Sequence, residues 1–134
     1  MAAPRKILIV DDEPQLALAV KIRLQSRGFE ATTVPDGRQA LEAIHSAAPD
    51  LILLDVMMPV MDGYSFLREL NTTVGRSVIP VIILTSRDRM KDLFELEGIE
   101  DYIIKPFDHE DLLVRIERTL KRREKAAASK TPVS

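Results

Sequence analysis

Short runs of apolar residues alternate along the chain with segments in which apolar residues recur every three or four positions. The runs predict buried strands of a parallel sheet, because helices cover both faces of such a sheet and leave no polar face. The recurring positions predict amphipathic helices. The predicted strands are Lys6–Val10, Phe29–Val34, Leu51–Leu54, Val81–Leu84 and Asp101–Ile104. The predicted helices are Pro14–Arg27, Gln39–Ala47, Tyr64–Leu70, Arg89–Glu97 and a last helix with Asp108 as its N-cap.

This regular alternation predicts an α/β fold, a doubly wound parallel sheet with helices on both faces. The pattern extends over residues 1–123, which we interpret as one domain. From residue 124 the apolar period is lost, so we expect residues 124–134 to be a disordered tail or the remnant of a linker.

Composition narrows the class of protein. The chain has 134 residues, with 19 Lys and Arg against 21 Asp and Glu, and a formal net charge of −2. This balance gives no reason to expect nucleic acid or an anionic membrane as a direct partner. There is no cysteine, no apolar stretch long enough to span a bilayer and no signal-peptide pattern at the N-terminus, so we expect a cytoplasmic protein.

Polar residues suited to phosphate chemistry follow four of the predicted strands. Asp11 and Asp12 follow the first strand, Asp55 the third, Thr85 the fourth and Lys105 the fifth. Because ligand sites in parallel sheets lie outside the carboxyl ends of the strands, we expect these side chains to converge.

The expected cluster combines carboxylates with a cation and a hydroxyl. The carboxylates repel one another unless a cation neutralises them, and hard oxygen ligands suit Mg²⁺. Lys105 and Thr85 can bind phosphoryl oxygens, and a carboxylate can serve as nucleophile. We expect the neighbouring Glu13 to cap the first helix instead.

Four motifs in this order resemble the receiver domains of two-component response regulators, in particular the single-receiver form related to the chemotaxis regulator. The motifs are Ile7–Glu13, Leu53–Pro59 with Met61–Gly63, Ile83–Thr85 and Asp101–Phe107, and the resemblance covers residues 5–123. It implies a flavodoxin-like three-layer αβα fold with five helices and a five-stranded sheet in the order 2-1-3-4-5.

The resemblance also implies a role for each site residue. Asp55 is expected to accept a phosphoryl group, Lys105 to pair with it and Thr85 to hydrogen-bond it. Thr85 and Tyr102 are expected to switch conformation together. The implied Mg²⁺ ligands are Asp11, Asp12, Asp55 and the backbone carbonyl of Met57. Met57 and Arg87 are expected to tune hydrolysis of the acyl phosphate, and their side chains predict slow to moderate self-dephosphorylation.

By the same resemblance, the phosphoryl donor is a phosphohistidine on a sensor histidine kinase or a phosphotransfer protein. The receiver would signal to a downstream protein or to an output domain absent from this sequence, without being a conventional enzyme. We expect a monomer without direct nucleic-acid or membrane binding, and leave phosphorylation-dependent dimerisation open. The alternative is a receiver-like docking module that works without phosphate, although such a module would be expected to have lost an acid or the lysine.

Two other classes fit the pattern less well. An FMN-binding protein of the same architecture needs a neutral, hydroxyl- or glycine-rich phosphate loop, whereas Asp11, Asp12 and Glu13 would repel phosphate. An aspartyl-phosphate phosphatase usually has a second acid two residues after its nucleophile, where this chain has Met57. The chain also departs from the receiver pattern at Val60, where glycine is usual, and in a slightly short stretch between Thr85 and Lys105.

Overall fold

The computed structural model describes residues 4–55, 63–73, 78–86 and 99–130. These residues form five strands and four helices. The strands are β1 (Lys6–Val10), β2 (Glu30–Val34), β3 (Leu51–Asp55), β4 (Val81–Thr85) and β5 (Asp101–Ile104). The helices are α1 (Pro14–Ser26), α2 (Gly37–Ser46), α3 (Gly63–Thr73) and α4 (His109–Lys130). The helix predicted over residues 89–97 lies outside the described residues.

The strands form one parallel sheet in the order β2-β1-β3-β4-β5. This confirms the strand order and the doubly wound α/β fold expected from the sequence. Every residue of β3 and β4 is buried, as continuous apolar strands covered on both faces should be.

Side chains of successive residues point to opposite faces of a strand, and the core accordingly forms two layers. Ile9, Leu53 and Leu84 belong to the layer that packs against α1 and α4. Val10, Leu54 and Ile83 belong to the layer that packs against α2 and α3. The helices on both faces thus fix the sheet and leave its carboxyl edge, where the strands end, available for a site.

The end of α1 follows from a single glycine. Gly28 has φ of +90°, a left-handed conformation that glycine adopts without strain. The backbone N–H of Phe29 donates to the carbonyl of Leu24 and that of Gly28 donates to Gln25, at 3.0 and 3.1 Å. This is the Schellman arrangement, in which glycine is the usual residue at the position of Gly28.

Helix α2 begins at Gly37, slightly earlier than the predicted Gln39, because Asp36 caps it. Asp36 is buried, and its Oδ1 accepts the backbone N–H of Gln39 at 2.9 Å. We expect Asp36→Ala to lower the free energy of unfolding by about 1 kcal/mol, because it removes this cap. Asp36→Asn keeps an oxygen that can accept the Gln39 N–H, so its free energy of unfolding should fall much less. Urea unfolding of both variants tests this, and equal losses would show that the capping bond is not the cause.

Helix α4 begins as predicted and ends later than predicted. Asp108 accepts the backbone N–H of Glu110 at 3.0 Å, which confirms it as the N-cap. The helix then continues to Lys130, through residues that we expected to be disordered. Ala, Lys and Glu are strong helix formers, so loss of the apolar period marked the loss of burial and not the end of the helix. Among the described residues, no helix is both long and apolar enough to cross a membrane.

Candidate functional site

Three carboxylates meet at the carboxyl edge of the sheet. Asp11 follows β1 and Asp55 ends β3, and these two strands are neighbours. One carboxylate oxygen from each of Asp11, Asp12 and Asp55 lies within 4.8 Å of the others. Asp11 and Asp55 are buried and Asp12 is exposed, so the group opens to solvent on one side. We call Asp11, Asp12 and Asp55 the acidic cluster.

Lys105 reaches the acidic cluster from the far edge of the sheet. It follows β5, and its backbone N–H donates to the carbonyl of Thr85 at 2.7 Å, which fixes its position beside the end of β4. Its Nζ donates to Asp55 Oδ2 at 2.9 Å and to Glu13 Oε1 at 3.1 Å. The same Nζ lies 3.7 Å from Asp11 Oδ2. The expected convergence of Asp11, Asp12, Asp55 and Lys105 is therefore found in the structure.

The charges around Lys105 keep it protonated. Burial on its own lowers the pKa of the ammonium, because a charged group loses its water. The hydrogen bond and charge of Asp55 oppose this, with help from Asp11 and Glu13, and the pKa is raised above its usual value. Lys105 thus supplies a permanent positive charge beside Asp55 at neutral pH.

The surroundings of Asp11 shift the pKa of its carboxyl group upwards. Burial raises its pKa to about 6, and the nearby charge of Asp55 acts in the same direction. The backbone N–H of Glu13 and the charge of Lys105 oppose the rise without cancelling it. Asp11 Oδ1 accepts that N–H at 2.9 Å, while its Oδ2 is buried and has no hydrogen-bond partner among the described residues.

The donor set and its charge suit a hard divalent cation. A buried oxygen that accepts no hydrogen bond is unfavourable unless a ligand binds it, and Asp11 Oδ2 is such an atom within the described residues. Within the described part of the chain, the Lys105 ammonium pairs with three carboxylates, those of Asp11, Glu13 and Asp55, so negative charge is in excess. Carboxylate oxygens are the ligands that Mg²⁺ prefers, and the residues present therefore fit such an ion.

Glu13 differs from its expected role. It occupies the N-cap position of α1, but its side chain makes no capping hydrogen bond. The carboxylate instead pairs with Lys105, which lies 92 positions further along the chain. A capping preference is local, whereas this contact depends on how β5 and α1 come together. Sequence reasoning therefore missed Glu13 as a site residue, and its only signal was its place directly after Asp11 and Asp12.

Thr85 and Tyr102 lie on the neighbouring strands β4 and β5. Thr85 is buried at the end of β4, and its hydroxyl donates to the carbonyl of Ser86 at 3.2 Å. Tyr102 lies on β5, with 39% of its surface exposed, and is in register with Ile83. The backbone N–H of Lys105 donates to the carbonyl of Thr85. The Thr85 hydroxyl and the Lys105 ammonium therefore belong to residues at the ends of neighbouring strands. The other predicted residues, Met57 and Arg87, lie outside the described residues, as does Val60.

Comparison with known proteins identifies the family. Residues 7–117 match the family profile of the response regulator receiver domain. The DNA-binding response regulator MtrA of Mycolicibacterium smegmatis is 39% identical over 122 residues, which cover 90% of this chain and 52% of that protein. The chain therefore spans about half the length of this curated relative.

Solved structures agree with the profile. The receiver domain of the Francisella response regulator 1452 is 34% identical with a TM-score of 0.80, over 89% of this chain and 98% of that one. The receiver domain of the sensor histidine kinase PA1611 of Pseudomonas aeruginosa is 35% identical with a TM-score of 0.74, over 90% and 97%. That structure has a magnesium ion coordinated in its active-site cleft. With this fold, this acidic cluster and these relatives, the chain belongs to the response regulator receiver domains of two-component systems.

Proposed function

We propose that this receiver accepts a phosphoryl group on Asp55 from a phosphohistidine of a histidine kinase or phosphotransfer protein, in a Mg²⁺-dependent reaction. One observation supports this most strongly. The buried Asp55 carboxylate lies at the sheet edge with the Lys105 ammonium at 2.9 Å and two further carboxylates close by. A nucleophile, a cation and a set of metal ligands are together sufficient for phosphoryl transfer.

The residues that would hold Mg²⁺ are Asp11, Asp12 and Asp55, with the backbone carbonyl of Met57 as a further expected ligand. When bound, the ion would neutralise charge on the carboxylates and the phosphoryl oxygens. The Oδ2 of Asp11, which is buried and accepts no hydrogen bond from the described residues, supports its place in this set.

In the transfer step, an Asp55 oxygen bonds to phosphorus while the phosphorus–nitrogen bond to the donor histidine breaks. The electron pair of the broken bond stays with the imidazole nitrogen, and Asp55 becomes an acyl phosphate. Lys105 Nζ, which now binds Asp55 Oδ2, would pair with a phosphoryl oxygen and stabilise the charge that develops there. The domain thus promotes its own phosphorylation without acting on an external substrate as a conventional enzyme does.

The proposed output is a change of conformation. The Thr85 hydroxyl would leave the Ser86 carbonyl and bond the phosphoryl group, and Tyr102 would move inward with it. Met57 and Arg87 would then set the rate of hydrolysis, which we predict to be slow to moderate. The signal would pass to a downstream protein or to a further domain, since the relative MtrA is a DNA-binding regulator about twice the matched length.

The competing hypothesis is a docking module that works without phosphate. It does not need the acids and the lysine to converge, whereas the structure brings Asp11, Asp55 and Lys105 together. Phosphorylation is therefore the function that the geometry supports best.

The test is intact-mass analysis after incubation with acetyl phosphate and Mg²⁺, with a parallel sample in EDTA. We expect one phosphoryl adduct that requires the metal. Borohydride reduction followed by peptide mapping should then place the acyl phosphate on Asp55. An adduct that forms equally well in EDTA, or that maps elsewhere, would contradict the proposal. Absence of an adduct from both acetyl phosphate and a histidine kinase would favour the docking module.

A further inference from the structure

The side chain of Glu13 contacts Lys105 from the solvent side of the site. The Glu13 side chain is 60% exposed, whereas the side chains of Asp11 and Asp55 are 0% and 5% exposed. Lys105 Nζ therefore lies between two buried carboxylates and one exposed carboxylate. Since the Glu13 side chain does not cap α1, this ion pair is the interaction it makes with the residues that the structure describes.

An ammonium group has three N–H donors. In this structure Lys105 directs donors to Asp55 Oδ2 and Glu13 Oε1, at 2.9 and 3.1 Å. A phosphoryl group on Asp55 would place new oxygens beyond the carboxylate, on the side that is open to solvent. These oxygens would approach Lys105 from the solvent side, where Glu13 now accepts one of its hydrogen bonds.

We infer that Glu13 competes with the incoming phosphoryl group for Lys105 and so slows phosphorylation of Asp55. This inference rests on the proposed function. The size of the effect is limited, because an exposed ion pair is weak and separates readily. Glu13 is thus a positioning residue that acts through Lys105.

A second effect of Glu13 has the same direction and must be separated from the first. Its negative charge also repels an anionic phosphoryl donor through space. The variant Glu13→Asp distinguishes the two effects, because aspartate keeps the charge but is one methylene shorter and cannot hold Lys105 in the same way. Aspartate is also a good N-cap residue, so the start of α1 is preserved.

The kinetic experiment measures the initial rate of the phosphoryl adduct with acetyl phosphate at saturating Mg²⁺. We expect both Glu13→Gln and Glu13→Asp to be roughly twofold to fivefold faster than the wild type. Glu42→Gln removes the same charge from an exposed position on α2 and should leave the rate unchanged. A Glu13→Asp rate equal to that of the wild type would overturn the inference and assign the effect to charge alone.

A second experiment needs neither metal nor phosphate. Urea unfolding of Glu13→Gln, Lys105→Met and the double variant in EDTA measures whether the two side chains are coupled. We expect the shifts of the unfolding midpoint in the two single variants not to add up to the shift in the double variant. Additive shifts would show that Glu13 and Lys105 do not interact, and would overturn the inference. The two proposals also fail differently. Equal phosphorylation rates in all variants would overturn this inference alone, whereas a wild type that accepts no phosphoryl group would overturn the proposed function and the inference with it.

Discussion

Replacing Asp55 with Asn should abolish the phosphoryl adduct while leaving the fold intact. The amide has the shape of the carboxylate, and its oxygen can still accept the hydrogen bond that Lys105 Nζ now gives to Oδ2 at 2.9 Å. The amide is not a nucleophile, however, and cannot form an acyl phosphate. Intact-mass analysis with acetyl phosphate and Mg²⁺ should therefore show no adduct for the variant under conditions that modify the wild type.

The control for this prediction is Glu42→Gln, which removes one negative charge from an exposed position on α2. It should be phosphorylated like the wild type, so a loss confined to Asp55→Asn reports the nucleophile and not the net charge. Circular dichroism should show the same secondary structure in all three proteins. Persistence of a metal-dependent adduct on the variant would mean that another carboxylate of the acidic cluster, such as Asp12, is an acceptor.

Replacing Asp11 with Asn should have opposite effects on stability and on metal binding. In the metal-free protein, burial raises the pKa of Asp11 from 3.8 to about 6, so the carboxylate at pH 7 is unfavourable in the folded state. One pKa unit corresponds to about 1.4 kcal/mol, so the shift from 3.8 to about 6 predicts that the variant gains about 3 kcal/mol of unfolding free energy at pH 7. Urea unfolding in EDTA measures this gain.

The pH dependence gives the sign of this effect a second test. Because the pKa of Asp11 is higher in the folded state, its contribution to stability is fully present below about pH 4 and is lost as the pH rises through about 6. The difference between variant and wild type should accordingly be large at pH 7 and vanish near pH 4. A difference that does not change with pH would show that the charge of Asp11 is not the cause.

With Mg²⁺ bound, the wild type should become more stable than Asp11→Asn, the reverse of the order expected in EDTA. A ligand that binds only the folded state stabilises it by RT ln(1 + [L]/Kd), so a tighter ligand stabilises it more. Addition of Mg²⁺ should raise the unfolding midpoint of the wild type and have much less effect on Asp11→Asn, because the amide supplies no charge to the ion. Equal Mg²⁺ responses in the two proteins would remove Asp11 from the proposed ligand set.

The sequence allowed the sheet and most of the acidic cluster to be predicted for one physical reason. Buried parallel strands are continuous apolar runs, so the residue that ends each run is easily located. The carboxyl ends of such strands share one edge, and this predicts that Asp11, Asp55 and Lys105 lie close together. The Schellman glycine and the Asp108 cap were predictable because they depend on local backbone geometry.

The predictions that differ from the structure concern features without a local signal. Glu13 occupies a capping position, yet a lysine 92 residues away determines where its carboxylate lies. The end of α4 at Lys130 was missed because an exposed helix needs no apolar period. Arg5 pairs with Glu124 and Arg123 with Glu100, contacts between distant segments that connect this end of α4 to the rest of the domain.

The placement of Asp55 at the end of β3 has a consequence for how a signal can leave this site. Strand β3 is bonded to β1 on one side and to β4 on the other, and all of its residues are buried. The backbone of the acceptor therefore cannot move without breaking the centre of the sheet. Any displacement caused by a phosphoryl group must therefore occur in side chains and connecting loops, while strand β3 stays in place. Hydrogen exchange at the β3 amides should accordingly remain slow and unchanged upon phosphorylation.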